Sequence, residues 1–460
     1  MRHPLLVPEI RELLRGGDHA ALVDFLQDQH PARVAEIVED LGPDEGDGLF
    51  GILPPRQRAG VMSYMPAEDQ VRIVGGLTPE AAAEVLRLMP HDDRADLANR
   101  LDKDRVEAIL RRMAHAERED IRRLASYEPG TAGAVMTTDY AALSPDVTVR
   151  EAIHRLPREA PDRETIDHAY VVGPDHTLLG QVSFTRLVQA FLARPDARVE
   201  AIMQHDPIVA RLDEDQEAVA DKVARYDLAA IPVVDAADRL VGIITHDDVQ
   251  DILRREQTED ILKFGGVTPD PLLDEAPYWQ GRIRAVVRRR INWLLMLFLA
   301  ESLTGTVLRR YQWVDRKLPD LDLFIPLLIG TGGNAGSQTV GTILRALALG
   351  DVRPGDVGKV VLREGVTGLL LGLLLGAFGF VYASLWRGEP PMFAAVVGLA
   401  IVGICLWANL MGALVPLLAR RLGMDPAVIS APLITTLVDA TGLVIYYSIA
   451  IVLLLRLAGS

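Results

Sequence analysis

The sequence predicts a multi-domain membrane protein, with an N-terminal α-helical superhelical domain, two copies of a small α/β module, a connecting helix and a five-helix transmembrane domain. Three observations support this fold class: a twelve-residue repeat near the N-terminus, a methionine-bearing phrase that occurs twice, and five apolar stretches towards the C-terminus. We expect the corresponding segments to be residues 1–130, 131–200, 201–255, 256–280 and 281–460.

The two ends of the chain differ in charge. Residues 278–460 carry 17 Lys and Arg against 10 Asp and Glu, whereas residues 1–277 carry 31 against 53. An acidic front half repels nucleic acid and attracts cations, although such a surface also serves solubility alone. The single cysteine, Cys405, excludes an intramolecular disulfide framework and a multi-thiolate metal site. We therefore expect no nucleic-acid partner, and bound cations are one means of relieving the repulsion.

Short turn sequences recur every twelve residues in the N-terminal part. They read LGPD, LPPR, MPAE, LTPE, MPHD and LDKD, and they begin at Leu41, Leu53, Met65, Leu77, Met89 and Leu101. Apolar pairs such as Ile73-Val74 lie between the turns, so each unit fits one short helix followed by a turn. Stacking of these units predicts a helical superhelix, which is a scaffold or a binding surface.

Two similar segments follow the repeat, AVMTTDYAALSPDVTVREAI from Ala134 and AIMQHDPIVARLDEDQEAV from Ala201. In each, a helical stretch precedes two strands joined by a tight turn, AYVVGPDHTLLGQVSF in the first copy and AIPVVDAADRLVGIIT in the second. This alternation predicts a small α/β module that is present twice.

These residues resemble a tandem CBS-domain pair, most specifically through IPVVDAADRLVGIITHDDV from Ile231. The resemblance implies ATP or another adenine nucleotide as a ligand, with Thr245 and Asp248 in contact with ribose and phosphate. The alternative is that Thr245 only caps the helix that follows it. The first copy reads SFTR from Ser183 and lacks the matching Asp, so at most one nucleotide site is expected.

Acidic residues are concentrated at the end of the second copy and beyond it. Asp248, Asp251 and Glu259 fall at roughly helical spacing, so they would share one helix face. One explanation is an ordinary solvated face. The other is a hard divalent cation with oxygen ligands, which would reverse the repulsion among these charges.

Five apolar stretches in the second half are each long enough to cross a bilayer as a helix. Five arginines between Arg282 and Arg290 precede the first stretch and place the N-terminal domains in the cytoplasm. We therefore expect a multi-pass protein of the inner (plasma) membrane. The stretches run from Ile291 to Leu308, Leu323 to Leu349, Val366 to Leu385, Met392 to Leu418 and Ala427 to Leu457.

The second stretch contains the polar, glycine-rich segment GTGGNAGSQT, which starts at Gly330. Glycines such as Gly332, Gly333 and Gly336 permit either close helix packing or a break in the helix. Polar groups such as Asn334 are tolerated at this depth only inside protein or along water. The segment is therefore either part of an ion path or a tight packing seam.

The fifth stretch contains an acidic residue, Asp439, within TTLVDATG. Burial of an unpaired carboxylate in a membrane costs at least about 2.5 kcal/mol, so we expect this group to face a pore or a partner. The alternative is a protonated or paired structural acid. Thr435 and Thr436 are either pore residues or donors to the preceding helical turn. Glu301, in the first stretch, is equally a structural partner or a pore residue.

The order of these parts resembles the MgtE family of magnesium channels over essentially the whole chain. The strongest matches are PLLIGTGGNAGSQT from Pro326 and APLITTLVDATGLVIYY from Ala431, whereas Asp425 stands where we expect Asn. The resemblance implies a homodimer in a lipid bilayer, with Mg²⁺ as the transported and regulatory ion. The expected pore residues are Gly332, Gly333, Asn334, Gly336, Thr435, Thr436 and Asp439. Besides Asp439, the expected metal residues are Asp92, Glu217, Asp227, Asp248, Asp251, Glu256 and Glu259.

Two other functions fit the residues less well. One is a transporter of another divalent cation such as Co²⁺, although the lack of His, Cys and Met clusters in the apolar stretches favours a hard cation. The other is a membrane-anchored CBS nucleotide or metal sensor, in which GTGGNAGSQT and Asp439 would be costly features of a simple tether. An enzyme is not expected, because the sequence has no Walker loop, HExxH motif or convincing nucleophile-base set.

Overall fold

The structure is a computed structural model that describes residues 6–159, 168–270, 283–353 and 355–457. By its internal contacts the chain divides into two compact units, Met1–Glu256 and Gln257–Ser460. Residues 271–280 of the predicted linker lie outside the described residues, as does Arg282 of the predicted arginine cluster.

The described N-terminal residues of the first unit form ten helices, and six of them follow the twelve-residue repeat. Helices α4 to α9 each begin at the third residue of a predicted turn sequence, so the prediction of one short helix per unit is confirmed. The helices are α1 Leu6–Gly16, α2 His19–Gln27, α3 Pro31–Leu41, α4 Pro43–Ile52, α5 Pro55–Ser63, α6 Ala67–Gly76, α7 Pro79–Leu88, α8 His91–Arg100, α9 Lys103–Leu110 and α10 His115–Leu124.

The turn sequences explain where these helices start. Pro43, Pro55 and Pro79 each occupy the first turn of a helix, where a missing N–H breaks no helical hydrogen bond. Contacts join helices that are two apart in sequence, α3 with α5, α5 with α7 and α7 with α9. The apolar pairs between the turns, such as Ile73-Val74, are buried in one continuous core. The repeat therefore stabilises itself by stacking.

Two α/β modules complete the first unit, and each contains a parallel strand pair followed by an antiparallel one. The strand order is β1-β2-β3-β4 in the first sheet and β5-β6-β7 in the second. The elements are α11 Ala132–Val135, β1 Ala142–Leu143, α12 Val149–Glu159, β2 His168–Val172, β3 Leu178–Ser183, α13 Phe184–Ala193, β4 Gln204–His205, β5 Ala210–Arg211, α14 Gln216–Arg225, β6 Ala230–Val234, β7 Leu240–Thr245 and α15 His246–Phe264.

The first residues of each module form backbone pairs with the sheet of the other module. Strand β4, from the second copy, pairs with β3, and Thr137, from the first copy, bridges to Ile243 of β7. A glycine marks the crossing in both sheets. A Cβ added at Gly180 would lie 2.5 Å from the carbonyl oxygen of Gln204, and one at Gly242 would lie 2.8 Å from that of Thr137. These glycines permit close backbone approach, and the equivalent positions confirm the internal repeat.

The second unit is a bundle of long helices. Four segments of the described residues are long and apolar enough to cross a membrane, Ile283–Asp315, Val357–Trp386, Pro391–Arg421 and Ala431–Leu454. They coincide with four of the five predicted spans. Helix α17 has 24 residues but falls outside this set, because its polar and glycine residues lower its hydropathy, so the second predicted span, Leu323 to Leu349, stays a prediction. The helices are α16 Ile283–Asp315, α17 Ile325–Ala348, α18 Val357–Val381, α19 Pro391–Arg421 and α20 Ala431–Ala450.

Small residues bring the helices of this unit close together. A Cβ added at Gly372 of α18 would lie 2.9 Å from the Cα of Val402 in α19, and one at Gly376 would lie 2.6 Å from the carbonyl oxygen of Gly398. Such contacts are typical of helix pairs in membranes. Helix α17 contacts both α19 and α20, which also contact each other, so the glycine-rich segment lies within a three-helix cluster.

Candidate ion path and regulatory sites

Asp439 lies in the middle of α20, and only 7% of the residue is exposed. Its Oδ1 atom is buried and has no hydrogen-bond partner among the described residues. The nearby charge that acts on it is that of Glu301 in α16, which has the same sign. A carboxylate in this position needs a cation, water or a partner chain to satisfy it, because its burial in a membrane is otherwise unfavourable.

The three glycines predicted for the pore are buried against α19 and α20. A Cβ added at Gly332 would lie 2.6 Å from Ile404 Cγ2, and one at Gly333 would lie 2.7 Å from Thr435 Cγ2. A Cβ at Gly336 would lie 3.0 Å from a side chain of α20. These contacts are expected for a tight packing seam between helices, the second of the two explanations for the glycine-rich segment. Close packing alone therefore requires glycine here, whether or not the same backbone also borders an ion path.

Asn334 and Gln338 lie one turn apart on a different face of α17, and both are exposed in the single chain. Amide side chains cannot satisfy their hydrogen bonds in hydrocarbon. This face therefore requires water or another protein surface beside it. The position of Asn334 is compatible with its predicted place beside an ion path.

The threonine hydroxyls near Asp439 donate to the preceding helical turn. Thr435 Oγ1 donates to the carbonyl oxygen of Ala431 at 3.1 Å, and Thr436 Oγ1 donates to that of Pro432 at 3.1 Å. Thr435 Oγ1 also lies 3.1 Å from Ser337 Oγ of α17. Both hydroxyls therefore donate to the preceding helical turn, as one of the two alternatives predicted. Each oxygen keeps a lone pair that can accept a further hydrogen bond.

A buried polar link between α17 and α19 escaped the sequence analysis. Thr339 Oγ1 donates to Asn409 Oδ1 at 2.8 Å, and Asn409 Nδ2 donates to the carbonyl oxygen of Cys405 at 2.8 Å. Asn409 is 2% exposed. The available signal was a lone amide within the otherwise apolar fourth stretch, since such residues commonly bond across membrane helices.

An acidic cluster surrounds a lysine at the end of the connecting helix α15. Lys263 Nζ lies 2.5 Å from Asp425 Oδ2 and 2.6 Å from Glu259 Oε1. Partial desolvation and the charge of Asp425 raise the pKa of Asp260 above its ordinary value. Glu259 was predicted as a metal residue, whereas Asp260 was not, and only the fold brings these acids close to Asp425. The amine of Lys263 is therefore bonded to two carboxylates, with the charge of Asp260 nearby, in a place where a cation is favoured.

The last turn of α15 docks on the helices of the second unit. Phe264 packs against the core of this unit, and a Cβ added at Gly341 of α17 would lie 3.6 Å from Phe264 Cζ. Just beyond the helix, Arg289 Nε of α16 donates to the carbonyl oxygen of Thr268 at 2.7 Å. The end of the connecting helix is therefore in direct contact with the helix that carries the glycine-rich segment.

The charges of two acids from distant parts of the first unit act on each other. Asp93, in the first turn of α8, adds its negative charge to the surroundings of Asp248, in the first turn of α15. Burial, with the charge of Asp96, raises the pKa of Asp93 to about 6, and burial, with the charges of Asp247 and Asp93, raises that of Asp248 to about 6. Such a pair favours a divalent cation at neutral pH. The sequence analysis selected Asp248 and, of the two neighbouring acids at the start of α8, named Asp92 as the metal residue.

The residues predicted for nucleotide binding are bonded to each other. Thr245 is buried, its Oγ1 donates to Asp248 Oδ2, and its backbone N–H donates to the same oxygen at 3.3 Å. The carboxylate of Asp248 thus accepts from the backbone of Thr245 at the start of α15, which is one half of a capping box, whereas a cap made by the Thr245 hydroxyl itself stays a prediction. A nucleotide at this place would have to compete with the bond between the two side chains.

The other predicted metal residues are spread over the first unit. Glu217, Asp227 and Asp251 are exposed, and Glu256 Oε1 accepts a 2.5 Å hydrogen bond from Gln216 Nε2. Among the residues that the structure describes, no group of three or more His, Cys, Asp or Glu is arranged to hold a metal ion. Mg²⁺ commonly keeps several waters and uses only one or two carboxylates, so these metal assignments stay predictions.

Comparison with known proteins gives matches along nearly the whole chain. Residues 325–449 match the MgtE divalent cation transporter family, residues 29–130 match the MgtE intracellular N domain, and residues 132–193 and 199–255 match the CBS domain. The chain is 39% identical over 453 residues to the magnesium transporter MgtE of Thermus thermophilus, which covers 98% of both chains. It is 34% identical over 330 residues to that of Enterococcus faecalis, which covers 72% of this chain and 70% of the relative.

A solved structure matches the first unit. The cytosolic domain of the Mg²⁺ channel MgtE in complex with ATP is 34% identical to this chain, with a TM-score of 0.51 over 54% of this chain and 99% of that one. These matches confirm the predicted order of domains, with a helical membrane region whose five spans stay a prediction, and membership of a transporter family confirms that the protein is not an enzyme. The protein belongs to the MgtE family of magnesium transporters.

Proposed function

We propose that this protein is a Mg²⁺-selective channel that admits magnesium to the cell and closes when Mg²⁺ binds to its cytoplasmic acidic sites. Asp439 carries the proposal. Its carboxylate is buried in the middle of a membrane helix, and Oδ1 has no hydrogen-bond partner in the part of the chain that the structure describes. A cation path satisfies such a group, whereas a simple membrane anchor gains nothing from it.

Selection would depend on charge and on hydrogen bonds to the hydrated ion. In a homodimer in the inner membrane, two Asp439 carboxylates would face one path along the two-fold axis. Mg²⁺ sheds water reluctantly, so oxygen and amide groups that bond to its hydration shell can select it without stripping the shell. Asn334 and the hydroxyl oxygens of Thr435 and Thr436 are the groups proposed for this role.

Gating would follow from linkage between Mg²⁺ and the closed arrangement. Ions that bind the closed state more tightly than the open state shift the population towards closure. Two clusters support this step: Asp93 with Asp248 in the first unit, and Glu259 with Asp425 around Lys263 in the second. When Mg²⁺ is scarce, repulsion within the clusters would loosen the contacts of α15 and favour opening.

An adenine nucleotide would modulate this equilibrium. The related cytosolic domain in complex with ATP supports a nucleotide at the CBS pair of this protein. Thr245 and Asp248 are the residues that the family resemblance assigns to ribose and phosphate. Binding would require Asp248 to give up its bond to Thr245, which links the nucleotide site to the Asp93–Asp248 pair.

The test is Mg²⁺ flux into liposomes that contain the full-length protein, with Asp439→Asn as the variant. Asp351→Asn, an exposed acid of the same unit, is the matched control. We expect flux that is selective for Mg²⁺ over Ca²⁺ and Co²⁺, lost in Asp439→Asn, retained in Asp351→Asn, and suppressed when Mg²⁺ is raised on the side of the N-terminal domains. Equal flux of Co²⁺ would favour the other transporter, and a folded dimer without any flux would favour the anchored sensor.

A further inference from the structure

A cavity of about 590 Å³ lies in the first unit, between the helical repeat and the α/β modules. Its size falls within the range of small-molecule sites in proteins. Helices α7, α8 and α10 form one wall, and loops of the first module together with strand β7 of the second form the other. The cavity is separate from Thr245 and Asp248, neither of which lines it. Five lining residues are charged, namely Arg87, Arg94, Glu117, Asp120 and Arg123. The lining also contains His91, His176 and Tyr140.

The two carboxylates of this lining, Asp120 and Glu117, already form hydrogen bonds within the protein. Asp120 accepts hydrogen bonds from Arg94 at 2.7 Å and from Thr138 at 3.1 Å, and it pairs with Arg123 at 2.8 Å and His91 at 3.1 Å. Burial alone would raise the pKa of Asp120, but the bonds from His91 and Arg94 more than offset this effect and lower it. The carboxylate is therefore ionised and surrounded by donors.

Glu117 is also engaged, because its Oε2 accepts a 3.0 Å hydrogen bond from the backbone N–H of Ala114 at the start of α10. The basic groups are not matched in the same way. Among the described residues, neither Arg87 nor His176 forms an ion pair or a side-chain hydrogen bond. Arg94 is 3% exposed, and its Nε has no hydrogen-bond partner in the described part of the chain. The lining of this cavity therefore offers more unused hydrogen-bond donors than acceptors, although the unit as a whole is acidic.

The other part of the lining is apolar. Leu240 and Val241 belong to β7, and the hydroxyl of Tyr140 donates to the carbonyl oxygen of Leu240 at 3.2 Å. The ring of Tyr140 is held edge-on against that of Tyr170, with centroids 6.3 Å apart. A fixed aromatic ring beside an aliphatic side chain suits the flat or apolar part of an organic ligand.

We propose that this cavity binds a small organic phosphate. Arg87 and His176, which approach it from opposite walls, would hold the phosphate together with the free donors of Arg94 and Arg123. The organic part would lie against Tyr140 and Val241. Because the lining comes from both the helical repeat and the modules, an occupied cavity stabilises their contact, and binding is detectable without transport.

The test is calorimetric titration of the purified full-length protein with phenyl phosphate and with inorganic phosphate, in buffer free of Mg²⁺. We expect one site per chain for phenyl phosphate and weaker binding of inorganic phosphate. Loss of two charge-assisted contacts in the double variant Arg87→Gln/His176→Gln should weaken binding of phenyl phosphate at least about tenfold. Both residues are exposed, so the variant should keep the thermal unfolding midpoint of the unchanged protein.

Two further variants serve as controls. Arg111→Gln removes an exposed arginine outside the cavity, and Thr245→Val alters the CBS nucleotide site. Unchanged affinity in both supports the proposal. It is overturned by an absence of binding, by equal affinity for the two phosphates, by an undiminished affinity in the double variant, or by a loss of affinity in Thr245→Val alone. The titration measures no transport, so its result is independent of the proposed channel.

Discussion

Lys263 Nζ lies 2.5 Å from Asp425 Oδ2, which fixes the last turn of α15 to the loop that precedes α20. Burial alone would lower the pKa of Lys263, but its bonds to Asp425 and Glu259 raise the pKa overall, so the amine stays charged. A cation of the chain itself therefore neutralises an acidic cluster in which Mg²⁺ is the proposed ligand. Because the pair is partly exposed, its contribution is about 1 kcal/mol or less.

Lys263→Gln should make closure depend more strongly on Mg²⁺. Without the amine, repulsion among Glu259, Asp260 and Asp425 is unrelieved when Mg²⁺ is low, and a loss of about 1 kcal/mol corresponds to about a fivefold shift in the open population. We expect higher flux at low cytoplasmic Mg²⁺ and full suppression at high Mg²⁺. The measurement is Mg²⁺ flux into liposomes at graded internal Mg²⁺.

Lys359→Gln is the matched control, since Lys359 is an exposed lysine of the same unit that pairs with Asp356. Its flux should follow the unchanged protein at every Mg²⁺ concentration. If Lys263→Gln gave the same curve as this control, the contact with Asp425 would have no part in gating.

Protection of the first unit by Mg²⁺ should be stronger at neutral than at acidic pH. The pKa values of Asp93 and Asp248 are both raised to about 6, so the folded state binds more protons than the unfolded state between about pH 4 and pH 6. Stability conferred by these protons is therefore lost as pH rises through this window. Mg²⁺ can restore it at about pH 7.5, where both groups are ionised, but competes with protons at about pH 5.

The measurement is the rate of limited proteolysis of the purified protein with and without Mg²⁺ at the two pH values. Asp93→Asn should reduce the protection by Mg²⁺ at neutral pH, because one of the two carboxylates is gone. Asp104→Asn, which removes an exposed acid of α9, should leave it unchanged. Equal protection at both pH values would rule out these acids as the sensor.

Two glycines of the glycine-rich segment in α17 should respond differently to an added methyl group. A Cβ at Gly332 would lie 2.6 Å from Ile404 Cγ2, whereas one at Gly330 meets nothing within 4 Å. We expect Gly332→Ala to destabilise the second unit by about 1–3 kcal/mol through overpacking. Gly330→Ala should be neutral or slightly stabilising, because alanine favours the helix. Thermal unfolding in detergent measures both, and equal midpoints would contradict the packing seam.

The sequence was sufficient for features that repeat or that depend on local chemistry. The turn sequences from Leu41 to Leu101 predict one helix per twelve residues because each supplies its own start signal, and α4 to α9 begin there. The duplicated modules were recognisable for the same reason, and the glycines at Gly180 and Gly242 show that the repeat extends to the crossing of the strands. Apolar stretches gave the long helices because length and composition alone determine that a helix can cross hydrocarbon.

The remaining features depend on contacts between residues far apart in the chain. Nothing in the sequence pairs Asp93 with Asp248, or Lys263 with Asp425, because their proximity is a product of helix packing. The glycine-rich segment shows the same limit. Its composition predicted either a packing seam or an ion path, and only the neighbours of Gly332 and Gly333 show that packing by itself requires these glycines.

The hydrogen bond between Thr339 and Asn409 gives a last prediction. Thr339→Val keeps the size of the side chain but leaves Asn409 Oδ1 without its donor in a buried place. We expect the second unit to lose about 0.6 kcal/mol of stability, the average for such bonds between membrane helices, and at most about 1.7 kcal/mol. Thr342→Val, one turn further along α17, removes only an exposed bond to the carbonyl oxygen of Gln338 and should cost less. Thermal unfolding of the two variants in detergent decides the point, because equal losses would mean that the bond to Asn409 does not hold α17 against α19.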